Sequence, residues 1–317
     1  MMPRGGDPPL STATHEGGTV DETIARALIA LDNRFYTDHA DSFSATRTTP
    51  WPGWDRVLDL ALEHGALGEA PRRSTSPGNP WDEETDPEDE PEVPSPRRAP
   101  RVLDVACGNM RFERYLLERI GRRAPRLFTV DNCDQLSVRK IFDPADLPAG
   151  MEPPRHMRAD VLERMLDGHA PLLGIPPCNL TVCFGFMHHV PGEDLRARLM
   201  RALVNATAPG GLVALSFWRF MDDERLARKT RSVEARAARR PPFSGFSPSA
   251  LEPGDHLLDW QADEFSYRYC HHADEAELDR LIKAAGHVRE IERFSADGSS
   301  GALNRYVILQ RVRETGL

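Results

Sequence analysis

The sequence lacks the features that mark several protein classes. No stretch approaches roughly 18 consecutive apolar residues, and the N-terminal residues contain no apolar signal core, so we expect a cytoplasmic protein with no membrane contact. The five cysteines form no C-x-x-C pair, which argues against a zinc or disulfide framework and predicts reduced thiols. Basic residues number 40 against 49 acidic residues, so any nucleic-acid surface must be a local basic patch.

Two stretches are poor in apolar residues and are predicted to be disordered. Residues 1–18 are rich in Gly, Pro, Ser and Thr, and residues 71–100 are rich in Pro and acidic side chains. Neither stretch can bury enough apolar surface to offset the entropy lost on ordering. We therefore predict a disordered tail, an N-terminal helical cap over residues 19–70, a disordered acidic insertion, and a main domain over residues 101–317.

The main domain opens with a strand–turn–helix–strand unit that ends at Asp131. Residues 102–105 and 127–130 are short apolar runs, residues 106–109 form a small-residue turn, and residues 111–122 have helical periodicity. This arrangement is typical of a nucleotide-binding unit, because the turn brings backbone close to a ligand and the terminal acid accepts hydrogen bonds from ribose hydroxyls.

Two ligand classes compete for this unit. A dinucleotide needs a G-x-G-x-x-G turn so that backbone can approach a pyrophosphate, but Ala106 and Met110 stand at two of the usual glycine positions and only Gly108 remains. S-adenosylmethionine carries no phosphate and needs a less close approach. The turn therefore suits S-adenosylmethionine better than a dinucleotide, with Asp104, Ala106, Gly108 and Asp131 as the candidate binding residues. An ordinary βαβ unit without a ligand is the alternative.

The rest of the chain alternates predicted strands and helices, as in a doubly wound α/β sheet. Asp160 follows a predicted strand and is a candidate for the adenine amino group, with a helix N-cap as the alternative. Residues 219–272 are predicted to form a lid and substrate region. Predicted helices cover residues 20–40, 55–64, 133–141, 192–206, 221–240 and 274–285, and predicted strands cover residues 156–159, 179–184, 212–217, 256–260, 265–270, 288–294 and 305–310.

Two further groups of residues invite a functional interpretation. His188 and His189 are adjacent, but no cysteine or carboxylate lies at ligand spacing, so no metal is predicted. The second group, which we call the basic strip, is either a solvated helix face or a contact strip for nucleic-acid phosphates. The basic strip comprises Arg225, Arg228, Lys229, Arg231, Arg236, Arg239 and Arg240.

Several stretches of the sequence together resemble one family. They read FSATRTTPWP, VLDVACGN, FGFMHHV, APGGLVALSFW, GDHLLDW and SYRYCHHADEAELDRLIKAAG, in this order, within residues 35–286. The VLDVACGN run resembles motif I of class I S-adenosylmethionine-dependent methyltransferases. The aromatic FSATRTTPWP loop and the GDHLLDW to SYRYCHH run are more specific. They are similar to the tRNA methyltransferases that esterify 5-carboxymethyluridine at the wobble position of the anticodon.

The resemblance implies both a fold and partners. The fold would be α/β and Rossmann-like, with a seven-stranded, mostly parallel sheet whose last strand is antiparallel. The substrate would be tRNA, and some relatives of this kind use a small activator subunit.

The methyl acceptor decides which side chains the reaction needs. A carboxylate is ionised near neutral pH and needs no general base, but a cation must hold it in line. Arg47, Arg219 and Arg268 are the candidates, and Arg47 lies in an aromatic loop that either packs the first helix or covers a ligand. A hydroxyl or amine acceptor would need a base instead, and His188, His189 or His271 would serve. A methyltransferase for a small carboxylate or hydroxyl metabolite and a non-catalytic scaffold stay open as alternatives.

Overall fold

The computed structural model describes residues 20–68, 99–120, 125–136, 147, 151–260 and 263–312. The predicted tail at residues 1–18, nearly all of the predicted acidic insertion, and the end of the helix predicted over residues 133–141 lie outside these residues.

Within the described residues, the chain forms seven α-helices and nine β-strands. The helices are α1 (Glu22–Ala45), α2 (Gly53–Glu63), α3 (Arg111–Ile120), α4 (Val161–Leu166), α5 (Glu193–Ala206), α6 (Glu224–Ala237) and α7 (Glu275–Ala285). The strands are β1 (Arg101–Val105), β2 (Arg126–Asp131), β3 (Arg155–Arg158), β4 (Cys178–Cys183), β5 (Thr207–Trp218), β6 (Asp255–Trp260), β7 (Asp263–His271), β8 (Val288–Ala296) and β9 (Asn304–Arg311).

The central sheet has seven strands in the order β3-β2-β1-β4-β5-β9-β8. Strands β1 to β5 pair in parallel, whereas β9 pairs antiparallel with both β5 and β8. This topology confirms the predicted Rossmann-like α/β fold with an antiparallel last strand. Chain order reverses direction between β1 and β4, and at such a point the carboxyl ends of the strands open onto a crevice.

Apolar side chains cover both faces of the sheet. Along β1, Val102 packs into a cluster with Trp54 of α2 and Leu116 of α3, while Leu103 packs into a second cluster with Leu199 of α5. Because both faces of a parallel strand are buried, the strand sequence is a continuous apolar run and does not alternate. The hydrophobic core therefore covers both faces of the sheet, and the carboxyl ends of the strands remain outside it.

Helix α2 is fastened to the β8–β9 hairpin. The Gly53 N–H donates to Asp297 Oδ1 at 2.9 Å, and Asp297 Oδ2 accepts from the Tyr306 hydroxyl at 2.6 Å. A Cβ at position 53 would overlap the Tyr306 ring, so glycine is required for this close approach. The first helices and the last strands of the described chain therefore share one packing unit.

Three element boundaries differ from the predictions. Helix α1 continues to Ala45, so Phe43 is helical and does not lie in a loop. Helix α6 starts at Glu224 and not at Met221, because the Asp223 carboxylate caps it by accepting from Leu226 N at 2.9 Å. Strand β5 begins at Thr207, which pairs with β4, and runs through the P-G-G turn that was expected to precede it.

None of the described helices is long and apolar enough to cross a membrane. All five cysteines are buried and free.

Candidate active site

A cavity of about 710 Å³ lies at the carboxyl ends of the parallel strands. The turns after β1, β2, β3 and β4 form one side of it, and α1 with residues 46–52 forms the other. The aromatic loop therefore lines the cavity through Trp51 and also packs into the core through Trp54. All predicted site residues except Arg219 line this cavity, namely Arg47, Asp104, Ala106, Gly108, Asp131, Asp160, His188 and Arg268.

The turn after β1 keeps the backbone of a glycine turn without most of its glycines. Ala106, Gly108 and Met110 have φ angles of 63°, 53° and 55°. Only glycine adopts this left-handed conformation freely, and other residues lose roughly 1–2 kcal/mol in it. The Ala106 N–H donates to the Val130 carbonyl at 2.8 Å, which holds the strained turn against β2. The backbone shape of a ligand turn is therefore retained at the expense of local strain.

Asp131 orders this turn through both carboxylate oxygens. Oδ2 accepts from the Gly108 N–H at 2.8 Å and Oδ1 accepts from the Cys133 N–H at 2.8 Å. Burial raises the pKa of Asp131, while the two backbone donors oppose that rise. Each carboxylate oxygen has two lone pairs, so Asp131 retains capacity for two more donors, such as the hydroxyls of a ribose.

Asp160 adopts the N-cap alternative. Its Oδ1 accepts from the N–H groups of Leu162 and Glu163, both at 3.0 Å, at the start of α4. Its Oδ2 accepts from the side-chain amides of Asn33 at 2.7 Å and Asn132 at 2.8 Å. These four donors fill the acceptor capacity of the carboxylate. An adenine amino group could reach Asp160 only by displacing one of the two amides.

Asp104 and Glu113 form a buried carboxyl pair beneath the turn. Glu113 is 1% exposed, and neither of its carboxyl oxygens has a hydrogen-bond partner among the described residues. Burial, followed by the charge of Glu113, raises the pKa of Asp104 well above its ordinary value. Burial likewise raises the pKa of Glu113 to about 7. The pair therefore holds a proton near neutral pH.

Arg268 is a buried cation enclosed by aromatic rings. Its side chain is 5% exposed and its guanidinium carbon lies 5.3 Å from the Phe35 ring, 5.2 Å from Trp218 and 5.8 Å from Trp260. Its Nε has no hydrogen-bond partner within the described chain. A cation in this position attracts an anion into the cavity, because the aromatic faces stabilise the guanidinium without neutralising it.

Arg47 is a second cation of the cavity. Its guanidinium carbon lies 3.4 Å from the centre of the Phe43 ring and 5.4 Å from Trp260. Burial lowers the pKa of Arg47 to about 10, so the side chain remains charged at neutral pH. The positive charge of Arg268 disfavours the positive charge of Arg47. An anion bound near both side chains would relieve this repulsion.

Arg219 does not join this group. Its Nη1 donates to the Ala273 carbonyl at 2.6 Å and its Nε donates to Asp222 at 2.8 Å. These bonds fasten the end of β5 to the segment before α7. Arg219 was a candidate to hold a carboxylate, but its guanidinium makes these local bonds outside the cavity.

His188 lines the cavity as a neutral side chain. Burial, followed by the charges of His189 and Arg268, lowers the pKa of His188 well below its ordinary value. Its Nδ1 has no hydrogen-bond partner among the described residues, and its ring packs 5.2 Å from Trp218. A histidine that resists protonation to this extent is a poor general base, so the structure gives little support to that role.

Sequence reasoning missed three contributors to the cavity. Asp32 and Tyr36 lie one turn apart on α1, where i and i+4 residues share a face, and both hydrogen-bond to His189. Arg111 lies over the rings of Trp51 and Trp54 at 5.1 and 5.4 Å. The sequence signal that could have identified Asp32 and Tyr36 was an acid and a tyrosine at positions i and i+4, beside the apolar stripe of α1.

Cys270 lies beside the two histidines, which sequence spacing did not predict. Ligand atoms of His188, His189 and Cys270 lie within 4.8 Å of one another. However, both ring nitrogens of His189 already have hydrogen-bond partners, and the Arg268 charge acts on Cys270. A cation would have to break those bonds beside an arginine, so this cluster fits a metal poorly.

Comparisons with known proteins concern the fold. No protein-family model and no curated protein matches the sequence. The solved 1,6-didemethyltoxoflavin-N1-methyltransferase of Burkholderia thailandensis, with bound 1,6-didemethyltoxoflavin and S-adenosylhomocysteine, matches with a TM-score of 0.53 at 14% identity, covering 97% of this chain and 94% of that chain. An S-adenosylmethionine-dependent methyltransferase from Clostridium acetobutylicum matches with a TM-score of 0.51 at 10% identity, covering 89% of this chain and 99% of that chain. The chain thus has the fold of the class I S-adenosylmethionine-dependent methyltransferases.

Proposed function

We propose that this protein is an S-adenosylmethionine-dependent methyltransferase that esterifies a carboxylate, and that tRNA carries this carboxylate on a modified wobble uridine. The observation that carries the proposal is that Arg268 is a buried cation without an ion-pair partner among the described residues. It is buried in the cavity wall, and no carboxylate of the described residues forms an ion pair with it. Asp32, an acid whose charge acts on Arg268, is bonded to His189 and Tyr269 instead.

The cofactor side of the proposal rests on the turn after β1 and on Asp131. S-adenosylmethionine is a cation with a ribose diol, and both features suit this end of the cavity. Asp131 offers acceptors for the diol. The positive charge of the cofactor would favour ionisation of the buried Asp104–Glu113 pair, and a negative charge on the pair would in turn attract the cofactor.

The acceptor side rests on Arg268 and Arg47. Two guanidinium groups can grip a carboxylate at two points and hold it for in-line attack on the sulfonium methyl group. Such orientation can supply on the order of 7–11 kcal/mol of the barrier reduction. The Trp218 and Trp260 rings beside Arg268 provide flat apolar surfaces for a nucleobase.

The basic strip supports tRNA over a free metabolite. Helix α6 packs on β6, and Trp260 at the end of β6 lines the cavity. Lys229 and Arg236 of the strip bond to Asp259 at 2.7 and 2.6 Å. Other members of the strip are exposed and available to phosphates, namely Arg225, Arg228, Arg231 and Arg239. A free small carboxylate is the second candidate, because the cavity residues by themselves recognise only the acceptor group.

The test is transfer of labelled methyl from S-adenosylmethionine to two acceptors, tRNA that carries 5-carboxymethyluridine and the free nucleoside. A methyl ester is released by mild alkali, whereas a methyl ether or amine is stable. We expect alkali-labile label on tRNA, and we expect Arg268→Gln to lose transfer while still binding the cofactor. Arg219→Gln, which removes an arginine outside the cavity, should retain transfer.

Three outcomes would contradict parts of the proposal. Alkali-stable label would exclude a carboxylate acceptor. Label on the nucleoside but not on tRNA would favour the small-metabolite candidate. No binding of S-adenosylmethionine by the wild type would exclude an enzyme and leave the scaffold alternative.

A further inference from the structure

A buried chain of hydrogen bonds ends at the cavity. Asp32 accepts from the Tyr269 N–H through Oδ1 at 2.7 Å, and its Oδ2 lies 2.9 Å from His189 Nδ1. On the other side of the imidazole, Nε2 lies 2.7 Å from the Tyr36 hydroxyl oxygen. Asp32 and His189 are buried, whereas Tyr36 is partly exposed and lines the cavity. The chain thus connects a fixed carboxylate to a hydroxyl in the cavity wall.

The partners of His189 determine where its protons lie. Nδ1 faces two acceptors, the Asp32 carboxylate and the Tyr269 carbonyl at 3.0 Å, so Nδ1 must carry a proton. Nε2 faces only the Tyr36 hydroxyl, which can either donate or accept. A neutral His189 accepts the proton of Tyr36, whereas a charged His189 donates to the Tyr36 oxygen.

The charges around His189 decide between these two states. Burial opposes protonation, but the Asp32 carboxylate, 2.9 Å from Nδ1, favours a proton on the ring, and this neighbouring negative charge raises the pKa of His189 well above its ordinary value. His189 is therefore a cation paired with Asp32, and its Nε2–H occupies an acceptor site of the Tyr36 oxygen. The charged and titratable groups near the His188–His189 pair are Asp32 and Tyr36 from α1, Arg47 from the segment after α1, and Arg268, Cys270 and His271 from β7.

A second cation also constrains Tyr36. Burial alone would lower the pKa of Arg268, but its neighbours, among them Cys270, Tyr36 and Asp32, raise it. The Tyr36 phenol is therefore a neighbour of both the Arg268 guanidinium and the His189 imidazole. Because both neighbours present N–H donors, the hydroxyl proton of Tyr36 has no acceptor on that side and is directed to the cavity.

We propose that Tyr36 is an acceptor-binding residue whose hydroxyl, oriented by His189 and Asp32, donates to the carboxylate that receives the methyl group beside Arg268. The inference rests on the proposed carboxylate acceptor and adds a residue that selects for it. Asp32 and His189 cancel each other's charge, so the two arginines supply the positive charge and Tyr36 supplies a directional donor. A neutral hydroxyl can also accept from this donor, but a carboxylate accepts more strongly because hydrogen bonds to charged groups are the stronger ones.

The test measures binding of a simple carboxylate to the full-length protein saturated with S-adenosylhomocysteine. Phenylacetate is the probe, since it carries a carboxymethyl group on a planar ring, and phenylacetamide is its neutral counterpart. We expect calorimetric titration to show phenylacetate binding roughly tenfold or more tighter than phenylacetamide, as a hydrogen bond to a charged group requires. Tyr36→Phe, which removes only the hydroxyl, should weaken phenylacetate binding by a similar factor.

Tyr115→Phe is the matched control. The Tyr115 hydroxyl donates to Asp55 at 2.7 Å, and Tyr115 does not line the cavity, so this variant should bind phenylacetate within about twofold of the wild type. Equal binding by Tyr36→Phe and wild type would overturn the role of Tyr36 while leaving the arginine site intact. Equal binding of phenylacetate and phenylacetamide by the wild type would reject the carboxylate site itself, and the inference with it.

The pH dependence separates this role from that of a proton-abstracting relay. When His189 loses its Nε2 proton at high pH, it accepts from Tyr36, and phenylacetate affinity should fall. Asp32→Asn removes a charge that raises the pKa of His189, so the fall should move to lower pH. Binding that strengthens as pH rises would indicate a relay that removes protons, and would overturn the inference.

Discussion

Two residues in the turn after β1 adopt the same strained conformation but differ in burial. Ala106 and Met110 both have positive φ, and Met110 is 0% exposed. Ala106→Gly should relieve roughly 1–2 kcal/mol of strain, offset by about 0.5–1 kcal/mol of chain entropy. We expect it to raise the free energy of unfolding slightly in denaturant titration.

The same change at Met110 should have the opposite sign. Met110→Gly relieves similar strain but deletes a fully buried side chain, which costs roughly 2–5 kcal/mol. The lost packing exceeds the relieved strain, so the free energy of unfolding should decrease. If both variants were more stable than the wild type, the packing of Met110 would contribute less to the free energy of unfolding than the strain at this position costs.

The carboxyl pair beneath the turn makes stability depend on pH. The pKa of Glu113 is about 7 in the folded protein against an ordinary value of 4.5. Between these values the folded state keeps a proton that the unfolded state has released, so the free energy of unfolding decreases as pH rises. Glu113→Gln cannot ionise and should flatten this dependence between about pH 5 and 7 in denaturant titrations.

Glu118→Gln provides the control for that prediction. Glu118 lies on the same helix but is exposed, so its substitution should leave the slope of stability against pH unchanged. An unchanged slope in Glu113→Gln would show that the pair is not the group that titrates.

Single residues also show how far the sequence could predict the site. The cofactor side was predictable because the turn and Asp131 lie within one short unit with a known spacing. Asp32 and Tyr36 were not predictable as a pair with His189, since their partner lies 157 and 153 residues away. Periodicity assigns a residue to a face of its own helix, but it carries no signal about which distant side chain meets that face.

At the scale of elements, a buried ion network joins α5 to α7. Arg196 Nε donates to Glu277 at 2.7 Å and its Nη2 donates to Glu252 at 3.2 Å. Arg196→Ala would leave both carboxylates without this partner, and breaking a buried pair costs about 3–5 kcal/mol. We expect a correspondingly large loss in the free energy of unfolding, measured by denaturant titration.

An exposed pair joins the same two helices and serves as the control. Arg280 of α7 donates to Glu193 of α5 at 2.8 Å, with 56% and 40% of their side chains exposed. Solvent screens such a pair, so Arg280→Ala should cost less than about 1 kcal/mol. If Arg280→Ala and Arg196→Ala reduced the free energy of unfolding by similar amounts, burial would not determine how strongly these ion pairs hold α5 and α7 together.

Element types were predicted more reliably than element ends. The apolar runs of β1, β2 and β4 and the helical period of α5 identify these elements because each has to bury the same faces in any packing. The start of α6 depends on which of several polar residues caps it. Asp222 and Asp223 both precede the helix, and only the fold selects Asp223 as the cap. Which of two neighbouring residues caps a helix depends on tertiary contacts, and the periodicity of apolar residues does not reveal it.

At the scale of the whole molecule, tRNA binding has to overcome a net charge of −9. If the basic strip contacts phosphates, affinity for bulk tRNA should fall steeply with salt, because binding releases condensed counterions. Replacing Arg225, Arg228 and Arg231 together by Gln should reduce the slope of log affinity against log salt by roughly 2–3. Fluorescence titration at several salt concentrations measures this slope.

Arg289→Gln is the control for the basic strip. Arg289 is exposed on β8, at an edge of the central sheet and outside the strip, so its loss should leave the slope unchanged. A triple variant with an unaltered slope would place the tRNA contacts elsewhere or exclude tRNA as a partner.

The bond between Gly53 and Asp297 has a consequence for synthesis. These residues are 244 positions apart, and a ribosome adding about 5–20 residues per second needs roughly 12–50 s to cover that distance. During this interval the apolar faces of α1 and α2 have emerged, but the hairpin that α2 packs against does not yet exist. Long-range contacts of this kind slow folding and expose apolar surface to aggregation. The nascent chain is therefore most vulnerable before its final strands are made, when a chaperone that covers the first two helices would protect it best.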